Sequence, residues 1–135
     1  MANYPVDATR IVLAGFSMGG YGVYRTFKED GKRYSALAIF SGIPRIPGGG
    51  GDGPDFLEKE DLSIFGHTPM FVFHGGKDRN CPIEQTRAQL ERLKQAGASV
   101  QFEFEEDKGH EAPGAATIKA FQEWCARLWE HTPPD

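Results

Sequence analysis

This sequence has few cysteines, no excess of positive charge and no long apolar run, and each of these absences excludes a class of protein. The two cysteines, Cys81 and Cys125, form no C-x-x-C pair and join no Cys/His cluster, which excludes a disulfide scaffold and gives no zinc-ligand pattern. The 15 Lys and Arg residues are outnumbered by 19 Asp and Glu residues, for a net charge of −4. Phosphate binding requires a basic face, so we expect no nucleic-acid partner.

No stretch approaches the ~18 consecutive apolar residues of a membrane span, so we expect no membrane partner. Residues 1–10 also lack the basic start and apolar run of a secretory signal. With only two cysteines and no ligand cluster, these absences predict a cytoplasmic protein with reduced thiols and no metal or organic cofactor. The length of 135 residues fits one domain over residues 1–135, large enough for one real core.

Glycine is the residue in excess, at 17 of 135 residues, about twice the usual ~7% share. Part of the excess is the run 48–51 with Gly53, which predicts a flexible loop. An anion-binding loop would need a strand directly before it and a helix directly after it. No P-loop lysine follows the glycine-rich turns, which also disfavours a nucleotide-binding module.

Four apolar runs stand out, at residues 10–16, 36–41, 69–74 and 100–105. The first three are nearly continuous, as strands buried on both faces are. The fourth alternates apolar with polar residues, which indicates an edge strand with one wet face. On this view the acidic cluster Glu103, Glu105, Glu106 and Asp107 is a solvated strand face.

Helical patterns lie between these runs, at residues 18–28, 82–96 and 113–129, with a short one at 55–61. In the segment 113–129 the apolar residues predict one buried face, made of Ile118, Phe121, Cys125, Leu128 and Trp129. Strands and helices in alternation predict an α/β fold, with a parallel sheet of about four strands and flanking helices.

Residues 15–19, GFSMG, match the pattern G-x-S-x-G directly after the first run. In this pattern the serine sits on a sharp, strained turn from strand to helix, which lifts its hydroxyl clear of the sheet. Small residues two positions away on each side, Gly15 and Gly19, let such a turn pack. The turn also places the backbone N–H of Met18 at a helix N-terminus, where it can face a developing oxyanion. We therefore expect Ser17 to be a nucleophile.

A serine nucleophile needs a base within hydrogen-bond reach, and a carboxylate that orients the base. In this pattern the acid and the histidine follow the serine in that chain order. Asp78 follows the third run and His110 follows the fourth, so we expect Asp78 as the orienting acid and His110 as the base. The rivals are Asp107, which lies too near His110 in sequence, and His74, which we interpret as a supporting or packing residue.

Residues 4–24, with HGGKDRNCP at 74–82 and KGH at 108–110, resemble the α/β-hydrolase superfamily. The resemblance is closest to its carboxylesterase, phospholipase and polyhydroxybutyrate-depolymerase-like branches, and it covers nearly the whole chain. It implies the same roles for Ser17, Asp78 and His110, and a backbone oxyanion donor at Met18. Dienelactone hydrolases are similar but use a cysteine nucleophile.

The sequence departs from that superfamily in what precedes the serine. Members place about four strands before it and take a second oxyanion donor from an early glycine-containing loop. Here about ten residues precede the first strand, so the chain resembles the C-terminal half, a truncated or minimal α/β-hydrolase core. We expect the strand 10–16 to lie at a sheet edge that a second copy covers, giving a homo-oligomer. The second donor would come from that partner or from the loop 48–53.

These expectations converge on a serine esterase that hydrolyses small, short-chain carboxylic esters through an acyl-enzyme. The same residues would serve a thioesterase, an acyltransferase or a peptidase, because pocket shape decides among them. The alternative from another class is an inactive or assembly-dependent fragment of an α/β-hydrolase that acts only as a binding or association module.

Overall fold

The computed structural model describes residues 4–43 and 62–130. Its strands are β1 (Val12–Phe16), β2 (Ala36–Phe40), β3 (Met70–Gly75) and β4 (Val100–Glu105). All neighbouring strands pair in parallel, in the order β1-β2-β3-β4. The helices are α1 (Met18–Asp30), α2 (Leu62–Phe65), α3 (Ile83–Gln95) and α4 (Ala115–Arg127). The predicted α/β fold is confirmed, whereas the expected helix 55–61 and loop 48–53 lie outside the described residues.

Side chains of the sheet alternate between two apolar layers, because successive residues of a strand point to opposite faces. Leu37 and Ile39 of β2 pack into one layer with residues of α1 and α3. Ala36 and Ala38 pack into the other, with Trp124 of α4. Helices therefore cover both faces of the sheet, as parallel strands require. No helix in residues 4–43 and 62–130 is long and apolar enough to cross a membrane.

The strand β1 lies at the edge of the sheet, where the sequence predicts it. Within the described ranges no strand pairs with its outer side. The prediction that its residues are buried on both faces is wrong: none of the five reaches the burial of β2 or β3, and Phe16 is 44% exposed. The reason is that β1, unlike β2 and β3, pairs on one side only among the described strands.

The predicted apolar face of α4 is confirmed at Phe121, Cys125 and Leu128, which pack against the sheet, but its first turn is rotated. Ile118 is 45% exposed, whereas Thr117 and Trp124 are buried. The physical reason is a pair of contacts to the sheet. The Thr117 hydroxyl donates to the Glu105 carboxylate across 2.8 Å, and the Trp124 ring packs on Phe71. Glu105 is accordingly not part of a solvated strand face, since it binds the first turn of α4.

Candidate active site

Because all strands are parallel, their carboxyl ends meet at one edge of the sheet, where loops supply the ligand site of this architecture. Ser17 follows β1, Asp78 follows β3 and His110 follows β4 at this edge. The structure joins the three side chains in one hydrogen-bonded chain. The Ser17 Oγ lies 2.7 Å from His110 Nε2, and His110 Nδ1 lies 2.8 Å from Asp78 Oδ2.

Ser17 occupies a strained turn between β1 and α1. Its φ of 56° and ψ of −116° fall in a region that residues other than glycine rarely adopt. The Ser17 N–H donates to the Phe40 carbonyl at 2.9 Å, and the Ser17 carbonyl accepts from the N–H groups of Gly20 and Tyr21. These bonds tie the turn to both the neighbouring strand and the following helix.

The glycines around Ser17 do not share the packing constraint equally. A Cβ on Gly15 would lie 2.2 Å from the Gly19 carbonyl oxygen, so Gly15 must be small. A Cβ on Gly19 would meet nothing within 4 Å, so the expectation that Gly19 must be small for packing is wrong. The second constraint falls on Gly20 instead, whose Cβ would lie 2.9 Å from the Cα of Gly42. Sequence inspection missed the Gly20–Gly42 contact because it joins two separate segments.

The Asp78 carboxylate is fully buried, and both of its oxygens accept hydrogen bonds. Its Oδ1 accepts the backbone N–H groups of Asn80 at 2.9 Å and Cys81 at 2.8 Å. Its Oδ2 accepts from His110. A buried charge is tolerated when it is hydrogen-bonded in this way. The same carboxylate and burial raise the pKa of the neighbouring Cys81 thiol to about 11, with burial as the larger cause.

The tautomer of His110 follows from its partners. A carboxylate only accepts, so Nδ1 carries the proton and Nε2 is free to accept from the Ser17 hydroxyl. The His110 loop is anchored at both ends. The Lys77 N–H donates to the Lys108 carbonyl at 2.8 Å, and the Glu105 carboxylate accepts the Gly114 N–H at 2.9 Å. This role of Glu105 carried no signal in the sequence.

The two rival residues, Asp107 and His74, make other contacts. The Asp107 carboxylate pairs with Lys77 Nζ at 3.0 Å and is 92% exposed. His74 is buried beneath the Asp78 loop, with Nε2 2.6 Å from the Cys81 carbonyl oxygen. Neither is the group that meets the Ser17 hydroxyl, which is bonded to His110.

Met18 is the first residue of α1, and its side chain is 67% exposed beside Ser17. The first N–H groups of a helix have no intrahelical acceptor and carry a partial positive charge. The backbone N–H of Met18 is thus suited to an anionic ligand atom near Ser17.

The sequence pattern did not indicate one further residue at this edge of the sheet, Ser41. Ser41 directly follows β2, has a φ of 53° and is fully buried. Its Oγ has no hydrogen-bond partner among the described residues. Its N–H donates to the Phe73 carbonyl at 2.9 Å, so β2 ends in a turn whose φ resembles that of Ser17.

One cavity lies away from these residues. It has a volume of about 560 Å³ and is lined at the C-terminal end of α1 and by α2. At about 1.5 Å per residue, the length of α1 separates it from Ser17 by roughly 20 Å. We therefore place the chemistry at the hydrogen-bonded chain. In the part of the chain that the structure describes, no group of three His, Cys, Asp or Glu side chains could hold a metal ion.

Comparison with known proteins places this geometry in context. Residues 1–124 match the family model described as phospholipase/carboxylesterase. No curated protein sequence matches the chain significantly.

Solved structures share the fold at low identity. Arabidopsis thaliana SOBER1 is 22% identical, with a TM-score of 0.71 over 93% of this chain and 56% of its own. The Bacillus cereus carboxylesterase is 18% identical, with a TM-score of 0.66 over 90% of this chain and 51% of its own. Pyrococcus horikoshii acylaminoacyl peptidase is 20% identical, with a TM-score of 0.72 over 96% of this chain and 26% of its own. This chain thus spans about half the length of the first two.

Proposed function

The chain belongs to the phospholipase/carboxylesterase family of α/β-hydrolases, and from that premise we propose that it is a serine esterase acting on small, short-chain carboxylic esters. The observation that carries the proposal is the chain of hydrogen bonds from Ser17 through His110 to Asp78, built on a strained turn. Ser17 is the nucleophile, His110 the general base and Asp78 the orienting acid.

In the acylation step, His110 Nε2 takes the proton of Ser17 Oγ while Oγ forms a bond to the ester carbonyl carbon. The Met18 N–H stabilises the resulting oxyanion. The carbonyl then re-forms, the bond to the alcohol oxygen breaks, and the imidazolium returns its proton to that oxygen. Asp78 keeps His110 in the tautomer that can accept the serine proton, and it stabilises the imidazolium.

In the deacylation step, His110 takes a proton from water while the water oxygen bonds to the acyl carbon. The bond to Ser17 Oγ breaks as the imidazolium protonates that oxygen. The products are a carboxylic acid and the free serine, so no metal or organic cofactor enters the balance.

A second oxyanion donor would complete the site. We propose that it comes from a partner chain or from the loop 48–53, which lies outside the described residues. The loss of one such donor lowers the rate by about 10²–10³-fold. Replacement of residues 48–53 by a short linker tests the loop, because unchanged turnover would exclude it.

The substrate preference rests on the surroundings of Ser17. Phe16 and Met18 flank it and are 44% and 67% exposed, an open apolar surface that suits small acyl groups. Parallel assays with p-nitrophenyl esters, a thioester and a peptide anilide would separate esterase activity from thioesterase and peptidase activity.

The decisive experiment compares p-nitrophenyl butyrate hydrolysis by the chain with that by Ser17→Ala. We expect kcat to fall at least about 10⁴-fold, since loss of the nucleophile leaves only binding and oxyanion stabilisation. Ser41→Ala is the matched control, because it removes a serine hydroxyl after the neighbouring strand, also at positive φ, that has no bonded partner in the described residues. Equal turnover in the chain and in Ser17→Ala would contradict the esterase.

The second candidate function is an association module. The observation that favours it is the outer edge of β1, which pairs with no strand of the described residues. An unpaired edge strand presents free N–H and C=O groups to another strand. We propose that two copies pair there to form a homodimer. Size-exclusion chromatography with light scattering tests this proposal, and a compact monomer at micromolar concentration would rule it out.

We also propose a reducing, cytoplasmic setting, because Cys81 and Cys125 are both free thiols. Thiol titration of the unfolded chain purified without reductant should return two thiols, and a value near zero would indicate an oxidising compartment.

A further inference from the structure

His74 is a buried titratable residue for which the proposed mechanism has no use. It lies in β3 and is fully buried. Its Nε2 is 2.6 Å from the Cys81 carbonyl oxygen and 3.5 Å from Asp78 Oδ2. Its Nδ1 is 3.0 Å from the Thr86 hydroxyl, which belongs to α3. Both ring nitrogens therefore have partners, which lie in the loop that carries Asp78 and in the first turn of α3.

These partners fix the tautomer. A carbonyl oxygen only accepts, so Nε2 of His74 must carry a proton. In the neutral ring Nδ1 is then an acceptor, and the Thr86 hydroxyl donates to it. Thr86 is buried, so loss of this hydrogen bond would leave a buried hydroxyl without a partner, at a cost in stability.

Cys81 links His74 to the orientation of Asp78. The Cys81 N–H donates to Asp78 Oδ1 at 2.8 Å, while the Cys81 carbonyl accepts from His74. One peptide segment is therefore held from both sides, by the carboxylate that it orients and by the imidazole beneath it. A shift of Cys81 would rotate the Asp78 carboxylate and change the direction of Oδ2, which holds His110.

We propose that His74 is a positioning residue for Asp78, held in its Nε2–H tautomer by the Cys81 carbonyl, with the Thr86 hydroxyl bonded to Nδ1. The consequence for turnover rests on the esterase proposed above, whereas the consequence for the His110–Asp78 hydrogen bond does not. A phenylalanine could fill the same space in a strand that already contains Phe71 and Phe73, but it has no N–H to hold the Cys81 carbonyl.

The test combines kinetics with nuclear magnetic resonance of the histidine ring nitrogens, which is tractable because the chain has 4 histidines. In the wild type we expect His74 to appear as the Nε2–H tautomer, and His110 Nδ1–H to give a low-field proton signal from its bond to a carboxylate. His74→Phe should shift or abolish the His110 signal and lower kcat for p-nitrophenyl butyrate on the order of 10²-fold, with KM little changed.

His74→Gln should restore the His110 signal and bring kcat to within about tenfold of the wild-type value, since its amide can still donate to the Cys81 carbonyl. Thr86→Val should shift the His74 Nδ1 signal, because it removes the hydroxyl bonded to Nδ1, while Nε2 keeps its proton. Leu93→Ala is the matched control, because Leu93 is fully buried on the same helix but belongs to the core. It should lower the unfolding temperature and leave the His110 signal in place.

Three outcomes would overturn the proposal. His74→Phe could fold and keep both the His110 signal and kcat. His74→Gln could match His74→Phe in both readouts, with a loss of stability like that of Leu93→Ala, which would make His74 a packing residue. The wild type could show His74 as the Nδ1–H tautomer. If the wild type shows the expected signals but no turnover, the esterase fails, and the positioning role is then decided by the His110 signal alone.

Discussion

The strands β1 and β3 carry similar apolar sequences, VLAGF and MFVFHG, but they differ completely in burial. All six residues of β3 are buried, whereas none of the five residues of β1 is. The difference lies in their neighbours, because β3 pairs with β2 and β4 while β1 pairs within the described residues with β2 alone. An apolar run therefore predicts a strand but not its position in the sheet.

The two strands also support the two sides of the candidate site differently. Asp78, after β3, is fully buried and locked by directed hydrogen bonds. Ser17, after β1, lies between the exposed side chains of Phe16 and Met18 and depends on the close packing of its turn. The acid side is thus held by burial, and the nucleophile side by backbone geometry.

The largest expected effect tests the difference in burial directly. Phe71→Ala in β3 removes a fully buried ring that contacts Phe40, Phe121 and Trp124, and should cost about 3–5 kcal/mol of unfolding free energy. Phe16→Ala in β1 should cost less than about 1 kcal/mol, because the ring is already 44% exposed. Urea unfolding of both variants measures the two losses of unfolding free energy. Equal losses would contradict the difference in burial, since they would mean that the Phe16 ring is buried in solution.

An intermediate effect tests the nucleophile side. Gly15→Ala forces a Cβ against the Gly19 carbonyl and should cost about 1–3 kcal/mol, with loss of esterase activity as the turn shifts. Gly22→Ala in the same helix is the control, since nothing lies within 4 Å of its Cβ. It should stabilise the chain by up to about 1 kcal/mol. A Gly15→Ala variant with normal stability and activity would show that the turn is more adaptable than its packing implies.

The smallest expected effect concerns the acid side at high pH. The pKa of Cys81 is raised to about 11, above the usual thiol value of about 8.5. The unfolded chain therefore loses this proton first, and stability falls as pH rises from about 9 to 11. Cys81→Ala keeps the backbone bonds to Asp78 and His74 and should lose less stability than wild type over that range. Parallel slopes of the urea midpoint against pH would contradict the assignment.

Much of the fold was readable because its signals are local. The four apolar runs reappear as strands. The helical pattern at 82–96 reappears as α3, which buries Ile83, Thr86, Leu90 and Leu93. The pattern around Ser17 also predicted a turn with strained backbone, since strain there follows from adjacent residues. The errors were non-local. The rotation of α4 depends on Glu105 and Phe71, and the second glycine constraint joins Gly20 to Gly42.

The sequence by itself determined the order of strands and helices. It also determined that Ser17, Asp78 and His110 each follow the carboxyl end of a strand. Periodicity and turn chemistry act over a few residues, so one chain carries that information openly. Only the tertiary structure decided that no residue of β1 is buried while all of β3 is, that Glu105 binds the first turn of α4, and that His74 lies beside Asp78. Those outcomes depend on which distant segments become neighbours, and burial and hydrogen bonding are properties of neighbours rather than of single residues.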